Sequence, residues 1–241
     1  MVFMESKNKY KKYIIPIINK YIRNNKIKDF YDVFCGGANL IDSIICENLY
    51  ANDLSPTLIA LHKQMQTDPS VFPEIGGRLW WDEAYKDYKR LINNFPIDYE
   101  IWEKEASMPL WQIGAIEWYS SFTRGGFPRG YAKAGGGRDY YKEGLKNHLE
   151  QMRNTNYKKI HFSQGNYKDI NIPENSLIYC DAPYRNTKPY SINPKFNYEE
   201  YYDWLKEKSK TNPIFISEQE MPEDFNIIWE MEVKRTAGRN H

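Results

Sequence analysis

The fold of this chain of 241 residues is decided by the stretch DVFCGGAN at residues 32–39. A short apolar run enters two glycines, Gly36 and Gly37, and residues 40–45 (LIDSII) follow with helical spacing. Because glycine has no Cβ, such a turn lets the backbone approach a nucleotide-like ligand between a strand and a helix. The pattern predicts the first strand and turn of an α/β domain, although a plain strand-to-helix turn has the same pattern.

A second apolar run, LYAND at residues 49–53, ends in an acid. In such a domain, an acid after the second strand can accept hydrogen bonds from both ribose hydroxyls of a nucleotide. Asp53 is therefore the candidate ribose ligand. Its alternative role is to cap the next helix, for which Ser55 followed by Pro56 is also suited.

The apolar run LIYC at residues 177–180 is followed at once by Asp181, Ala182, Pro183 and Tyr184. A carboxylate and an aimed backbone carbonyl can accept both protons of an exocyclic amine, which stabilises the positive charge that develops when this nitrogen attacks an electrophile. Pro183 restricts Ala182 to an extended conformation and so aims its carbonyl. Tyr184 offers a face on which an extruded base can stack. We interpret these four residues as a catalytic cradle for a nucleobase.

Taken in order, these pieces resemble the DNA adenine-N6 methyltransferases of the Dam type, most closely the small phage-borne members. The resemblance extends from residues 4–17, through the turn GNYKDI at residues 165–170, to the runs at residues 215–218 and 224–234. It implies a class I methyltransferase-like (Rossmann-like) α/β fold, with a mostly parallel twisted sheet and helices on both faces.

The resemblance also implies a division of the chain. Residues 1–66 and 156–241 would form the catalytic domain that binds S-adenosylmethionine, and residues 67–155 an inserted, mainly helical target-recognition region. The reaction implied is methyl transfer to N6 of adenine in double-stranded DNA, with S-adenosylhomocysteine as product and no metal. The residues expected to bind the cofactor are Phe3, Lys7, Phe34, Cys35, Gly36, Gly37, Asn39, Asp53, Asn166, Tyr167 and Asp181.

Three positions depart from the pattern of the family. Glu5 stands where glycine is usual, Ala182 replaces the commoner first proline of the catalytic motif, and Asn166 replaces a frequent aspartate. Three alternatives stay open. A cytosine-N4 methyltransferase fits because the cradle accepts any planar exocyclic amine, and a catalytically impaired methyltransferase-like protein that binds DNA fits the Glu5 departure and the short C-terminus. A nicotinamide-dependent oxidoreductase is permitted by the glycine turn alone.

Residues 123–138 (TRGGFPRGYAKAGGGR) are rich in glycine and arginine, contain no acid, and have neither helical nor strand periodicity. Such a segment can order on a phosphate backbone or set arginine against guanine. Because the target-recognition region of the resembled family falls here, we predict DNA contacts from Arg124, Arg129, Lys133 and Arg138. A solvent loop without a partner is the alternative.

The net charge of +1 gives no global attraction to nucleic acid, but residues 7–28 carry lysines and an arginine with no acid between them. The pattern predicts an amphipathic helix with buried isoleucines and a basic outer face. The three cysteines and four histidines lack the spacing of a metal site. In the absence of a leader or membrane-span pattern, we expect a cytoplasmic protein of a bacterium or phage-infected cell, paired functionally with a restriction endonuclease.

The last apolar run, at residues 227–234, predicts a strand. The chain ends soon after it, where the resembled family would add one more strand. We therefore expect an open sheet edge beside residues 227–234, available for pairing with another chain.

Overall fold

The computed structural model describes residues 7–73, 77–122, 126–132, 139–184, 192, 196–219 and 221–231. The strands are β1 (Asp29–Asp32), β2 (Asn48–Asp53), β3 (Ile160–Gln164), β4 (Leu177–Cys180) and β5 (Ile214–Ile216). The helices are α1 (Lys11–Asn25), α2 (Pro56–Thr67), α3 (Arg78–Asn94), α4 (Tyr99–Glu105), α5 (Leu110–Ser120), α6 (Tyr140–Met152) and α7 (Tyr198–Lys208). None of the helices in these ranges is long and apolar enough to cross a membrane.

The five strands form one sheet in the order β3-β2-β1-β4-β5, and every pairing is parallel. This confirms the predicted α/β fold. The interior strand β4 is buried along its whole length, as expected for a continuous apolar run in a parallel sheet with both faces covered. Its residues alternate between two apolar clusters, one on each face of the sheet.

The larger cluster, which we call the main core, joins the sheet to helices α1 to α6. The smaller cluster joins the other face to α7. Helices α3 to α6 lie within residues 67–155, yet Trp81, Trp102, Ile113 and Tyr141 from these helices are buried in the same main core as β1 and β2. The segment between β2 and β3 therefore contributes directly to the packing of the sheet.

Two glycines set the spacing of the helices on this face. A Cβ on Gly114 of α5 would lie 2.2 Å from the carbonyl oxygen of Thr57 in α2, so the two backbones touch. A Cβ on Gly144 of α6 would lie 2.7 Å from ring atoms of Tyr119 in α5. Both contacts exist only because these positions lack a side chain.

The helical pattern at residues 40–45 produces only a short 3-10 turn, Ile41–Ser43. Side-chain amides from the connection between α6 and β3 bind the backbone carbonyl groups that a longer helix would use. Asn154 donates to the carbonyl of Asp42, and Asn156 donates to the carbonyl of Ile44 at 3.0 Å. These tertiary hydrogen bonds replace helical ones.

The prediction of a strand at residues 227–234 is wrong over its described part, because residues 221–231 contain no strand. Trp229 instead stacks on Tyr13 of α1, with ring centroids 5.3 Å apart, while Ile227 and Ile228 are exposed. This run therefore packs on α1 through Trp229 and does not pair with the sheet over residues 221–231. In the described part of the chain, the edge strands of the sheet are β3 and β5.

Candidate active site

A pocket opens at the carboxyl ends of β1, β2 and β4, where the strand order changes direction and open α/β sheets bind their ligands. The pocket brings together residues of the glycine turn at 32–39, of the catalytic cradle at 181–184, and of the turn after β3. The residues of the sequence prediction that line it are Lys7, Phe34, Cys35, Gly36, Gly37, Asn39, Asp53, Asn166, Tyr167, Asp181, Ala182, Pro183 and Tyr184. Phe3 lies outside the described residues, as do Arg124, Lys133 and Arg138.

Asp53 holds the glycine turn. Its carboxylate accepts hydrogen bonds at 3.0 Å from the backbone N–H of Gly36 and from that of Ser55. Burial raises the pKa of Asp53, and these backbone donors partly offset the rise. The capping of α2 falls to Ser55, whose hydroxyl accepts from the N–H of Leu58. Asp53 is thereby left to face the pocket with its remaining lone pairs.

The wall beside Asp53 is aromatic. Tyr167 and Phe34 lie with their ring centroids 5.1 Å apart, and Phe196 packs against both rings. Asn166 turns its side-chain oxygen to the backbone N–H of Lys168 and so fixes the turn that carries Tyr167. Burial raises the pKa of Tyr167 to about 12, so its hydroxyl stays protonated at neutral pH.

Asp32, which the sequence analysis did not select, closes the floor of the pocket at the end of β1. It is buried, and its Oδ1 has no hydrogen-bond partner among the described residues. Burial raises the pKa of Asp32 well above its ordinary value, and the nearby Asp181 raises it further. A buried carboxyl oxygen without a partner fits a ligand that brings a cationic or hydrogen-bonding group. An acid ending a strand before two glycines was the available signal.

At the catalytic cradle, three side chains meet. Nζ of Lys7 lies 2.7 Å from Oδ1 of Asp181, and the hydroxyl of Tyr184 donates to the same oxygen at 3.2 Å. Lys7 also donates a hydrogen bond to the Tyr184 hydroxyl. Burial raises the pKa of Asp181, whereas Lys7 and Tyr184 lower it by stabilising the carboxylate. The hydroxyl of Tyr198 donates to the Pro183 carbonyl at 2.8 Å and fixes the end of the motif.

The wall of the pocket opposite the aromatic side chains comes from residues 67–155, which were expected to serve in target recognition and not in cofactor binding. Tyr88, Glu117, Trp118 and Gly126 line the same pocket. The carboxyl group of the buried Glu117 accepts a hydrogen bond from the hydroxyl of Thr57 at 2.7 Å and another from the backbone N–H of Phe127. Burial raises the pKa of Glu117 to about 8. A single acid inside the apolar helix LWQIGAIEWYS was the overlooked signal.

The described middle of the segment 123–138 is folded onto this wall. Phe122 donates its backbone N–H to the carbonyl of Gly130 at 2.7 Å, and Ala132 donates to the carbonyl of Ser120 at 2.8 Å. Phe127 is buried against aromatic rings of α3. Residues 126–132 are thus anchored to α3 and α5, and Arg129 lies on this stretch.

Among the described residues, no cluster of three or more histidine, cysteine, aspartate or glutamate side chains could hold a metal ion.

The sheet order and the position of the pocket define the class of the protein, which is that of the class I methyltransferases. A family model described as D12 class N6 adenine-specific DNA methyltransferase matches residues 8–212, and the chain belongs to this family. It is an enzyme that methylates N6 of adenine in DNA with S-adenosylmethionine as methyl donor. The match does not favour the three alternatives left open by the sequence. A search of curated protein sequences gave no match.

Proposed function

We propose that the pocket holds S-adenosylmethionine between the glycine turn and the Tyr167 wall, and receives the target adenine at the catalytic cradle. The observation that carries this proposal is that Gly36, Asp53 and Asp181 line one continuous pocket. A donor group and an acceptor amine can react only where both fit side by side. A wall between Asp181 and the glycine turn would have excluded the reaction.

The cofactor end of the pocket offers a different chemistry at each position. Asp53 keeps acceptor lone pairs for ribose hydroxyls, and Tyr167 with Phe34 offers apolar surface for adenine. The unpartnered oxygen of Asp32 suits a cationic group such as the ammonium of the methionine end. When bound, S-adenosylmethionine supplies the electrophilic methyl group on a sulfonium centre.

At the cradle, the side chain of Asp181 and the carbonyl of Ala182 would each accept a hydrogen bond from one N–H group of the adenine amine. This directs the nitrogen lone pair away from the ring and stabilises the charge that develops on the nitrogen. Tyr184 would stack on the base, which must leave the duplex to reach the pocket. Lys7 supports this role because it keeps Asp181 ionised before the base arrives.

DNA recognition would fall to residues 67–155, and within them to Arg124, Arg129, Lys133 and Arg138. Two observations support this assignment. Gly126 lines the pocket, and Arg129 lies three residues further along the same described stretch. An active site that accepts an extruded base needs a neighbouring surface that holds the duplex from which the base comes. A basic, glycine-rich segment is suited to this role.

The test is transfer of a labelled methyl group to duplex DNA, followed by digestion and detection of N6-methyladenine. Asp181→Asn should lower the rate by about 100-fold or more, because the amide presents donors where the amine needs acceptors. Asp53→Asn should mainly weaken S-adenosylmethionine binding in calorimetry. The matched control is Asp203→Asn, an exposed position on α7. Full activity in Asp181→Asn would remove the cradle from the mechanism.

The DNA contacts are tested separately. Changing Arg124, Arg129, Lys133 and Arg138 to alanine should weaken DNA binding and flatten its dependence on salt concentration, by about one unit of slope for each phosphate that the protein no longer neutralises. Alanine at Lys206, Lys208 and Lys210 is the control, since these lysines belong to α7 and the turn after it, on the opposite face of the sheet. An unchanged affinity and slope in the first variant would refute the assignment.

We also propose that the methylated adenine protects DNA from a restriction endonuclease that cuts the same sequence. The family to which the chain belongs supports this role, because an adenine-specific mark can block cleavage at its own site. Sequencing methylated adenines in DNA from cells that express the protein identifies that site. Resistance of this DNA to an endonuclease of the same specificity then tests the pairing.

A further inference from the structure

A chain of four buried polar rings runs from the glycine turn into the main core. Nε2 of His62 lies 2.8 Å from the carbonyl oxygen of Gly36, and Nδ1 of His62 lies 2.7 Å from the Tyr157 hydroxyl. The same hydroxyl lies 2.6 Å from Nε2 of His148, whose Nδ1 lies 2.6 Å from the Tyr119 hydroxyl. All four side chains are fully buried, and none of them lines the pocket.

The Gly36 carbonyl fixes every proton in this chain, because a carbonyl can only accept. Nε2 of His62 must therefore donate, and Nδ1 of the neutral ring must accept from Tyr157. The hydroxyl of Tyr157 has then used its only proton, so its oxygen accepts from Nε2 of His148. Nδ1 of His148 must in turn accept from Tyr119. Burial keeps both imidazoles neutral, since it lowers the pKa of His62 to about 3 and that of His148 well below its usual value.

A second contact from the same helix grips the next two carbonyls. Nε2 of Gln151, which follows His148 by nearly one turn of α6, donates to the carbonyl of Gly37 at 3.1 Å and to that of Ala38 at 2.9 Å. His62 and Gln151 thus bind three consecutive carbonyl groups of the glycine turn, those of residues 36, 37 and 38. The turn needs such support, because Gly36 has φ +47° and Ala38 has φ +53°, a conformation that alanine rarely adopts.

The close packing of α5 and α6 makes the far end of the chain possible. Gly144 lets α6 rest directly on the ring of Tyr119, and His148 stands one turn further along the same face of α6. Tyr119 itself belongs to α5, next to Glu117 and Trp118 of the pocket wall. The chain of rings therefore ties the glycine turn to the helix from which residues 123–138 depart.

We propose that His62, Tyr157, His148 and Tyr119 are positioning residues that hold the glycine turn in the shape that binds S-adenosylmethionine. This inference rests on the proposed function of the pocket. Removing the Tyr119 hydroxyl leaves the buried Nδ1 of His148 without a donor. Removing the Tyr157 hydroxyl leaves one imidazole without a donor and the other without an acceptor. In both cases a buried polar group loses its partner, and a ring that moves to relieve this defect shifts the Gly36 carbonyl through the His62 contact.

The experiment measures S-adenosylmethionine affinity by calorimetry for the full chain and for Tyr119→Phe and Tyr157→Phe. We expect the dissociation constant to rise about tenfold in Tyr157→Phe and severalfold in Tyr119→Phe. Tyr141→Phe is the matched control. Tyr141 is buried with its ring 5.6 Å from that of Tyr119, but its hydroxyl has no hydrogen-bond partner among the described residues, so its affinity should stay at the wild-type value.

Two nuclear magnetic resonance measurements on the free protein complete the test. The imidazole nitrogen signals should show the Nε2–H tautomer for both His62 and His148. The amide signals of Gly36 and Gly37 should shift in Tyr119→Phe and not in Tyr141→Phe. Wild-type affinity in Tyr119→Phe and Tyr157→Phe, or unshifted amides, would overturn the inference even if both variants melt earlier. Failure of the wild-type chain to bind the cofactor would instead count against the proposed function, and the amide shifts would still decide the role of the rings.

Discussion

At the residue scale, one lysine controls the charge of the aspartate at the catalytic cradle. Lys7 pairs with Asp181 at 2.7 Å in a partly buried setting, where burial alone would favour the neutral acid. In the proposed mechanism an ionised Asp181 accepts hydrogen bonds from the adenine amine, so the pKa of this carboxyl would set the lower pH limit of the reaction. Because Lys7 lowers that pKa, the mechanism predicts that Lys7 extends activity to lower pH.

Replacing Lys7 with methionine should move the acidic limb of the pH–rate profile to higher pH. The pKa of Asp181 rises further when the cation is lost, so protonation inactivates the variant at a pH where the wild type still works. Activity at the acidic end should fall severalfold, as measured by kcat for methyl transfer across the pH range. Lys9→Met, at an exposed neighbouring position, should give the wild-type profile. Superimposable profiles for the Lys7 variant would show that the ion pair does not act on Asp181.

Glu117 presents the opposite case, an acid that stays protonated at neutral pH. Its pKa in the folded chain is about 8, against an ordinary value of 4.5, because of burial. The folded state therefore binds more protons than the unfolded state between these values, and stability falls as the pH rises through the interval. The loss should be on the order of 4 kcal/mol from this group.

Glu117→Gln should remove this part of the pH dependence. Glutamine keeps the shape of the neutral acid but cannot ionise. The free energy of unfolding of the variant should therefore increase relative to that of the wild type as the pH rises from 5 to 8. Urea unfolding of both proteins at a series of pH values measures the difference directly. Parallel stability curves would mean that Glu117 is already ionised at neutral pH.

The sequence identified Asp53 and Asp181, which lie at the ends of strands, but missed Asp32 at the end of β1 and also Glu117, which reaches the pocket through helix packing. Asp53 and Asp181 each follow an apolar run directly, so their place at one edge of a parallel sheet follows from the topology. Glu117 reaches Thr57 from a helix 60 residues away. A local sequence pattern does not predict this contact, because it depends on how closely the two helices pack.

At the element scale, α5 is positioned by a single glycine. Gly114 allows the backbone of α5 to touch α2, and Glu117 lies one turn further along α5, opposite Thr57. Helices whose interface contains glycine approach more closely than those with ordinary side chains between them. The pocket wall formed by Glu117 and Trp118 depends on that approach.

Gly114→Ala should therefore destabilise the protein by about 1–3 kcal/mol or more, because the new methyl group would overlap a backbone carbonyl that cannot rotate away. Urea unfolding gives the change. The control is Gly77→Ala at the start of α3, where a Cβ meets nothing within 4 Å; about 1 kcal/mol or less is expected there. Equal losses in both variants would contradict the proposed close approach of the two helices.

Elements whose local pattern agrees with their tertiary setting were predicted well. Helix α1 and strands β2 and β4 fall where the apolar pattern of the sequence predicted a helix and two strands. The runs at residues 40–45 and 227–234 failed for a common physical reason. In each, residues distant in sequence contact the run: the amides of Asn154 and Asn156 bind backbone carbonyl groups of the first, and the ring of Tyr13 packs on Trp229 of the second.

At the scale of the whole molecule, the sheet and the helices of residues 67–155 form one core. The main core contains residues of β1 and β2 together with residues of α3, α5 and α6. Unfolding one part would expose the apolar surface of the other. We therefore expect a single cooperative transition for the chain.

Two probes can check this cooperativity. Five of the seven tryptophans lie within residues 67–155, so fluorescence reports mainly on that part of the chain, while far-ultraviolet circular dichroism reports on all helices and the sheet. Their unfolding midpoints in urea should coincide. Separate midpoints, with fluorescence changing first, would show that the inserted helices can melt while the sheet persists.

The shared core limits how enzymes of this type can change the DNA sequence that they read. If residues 67–155 recognise DNA, as proposed, specificity is not exchanged by transplanting them as a block, because a foreign block would have to reproduce the fit of Gly114 on Thr57 and of Gly144 on Tyr119. Under the same proposal, substitutions in residues 123–138 are the more accessible route to new targets, because they leave the helices of this segment in place. Libraries confined to that short segment should yield folded variants far more often than chimeras do.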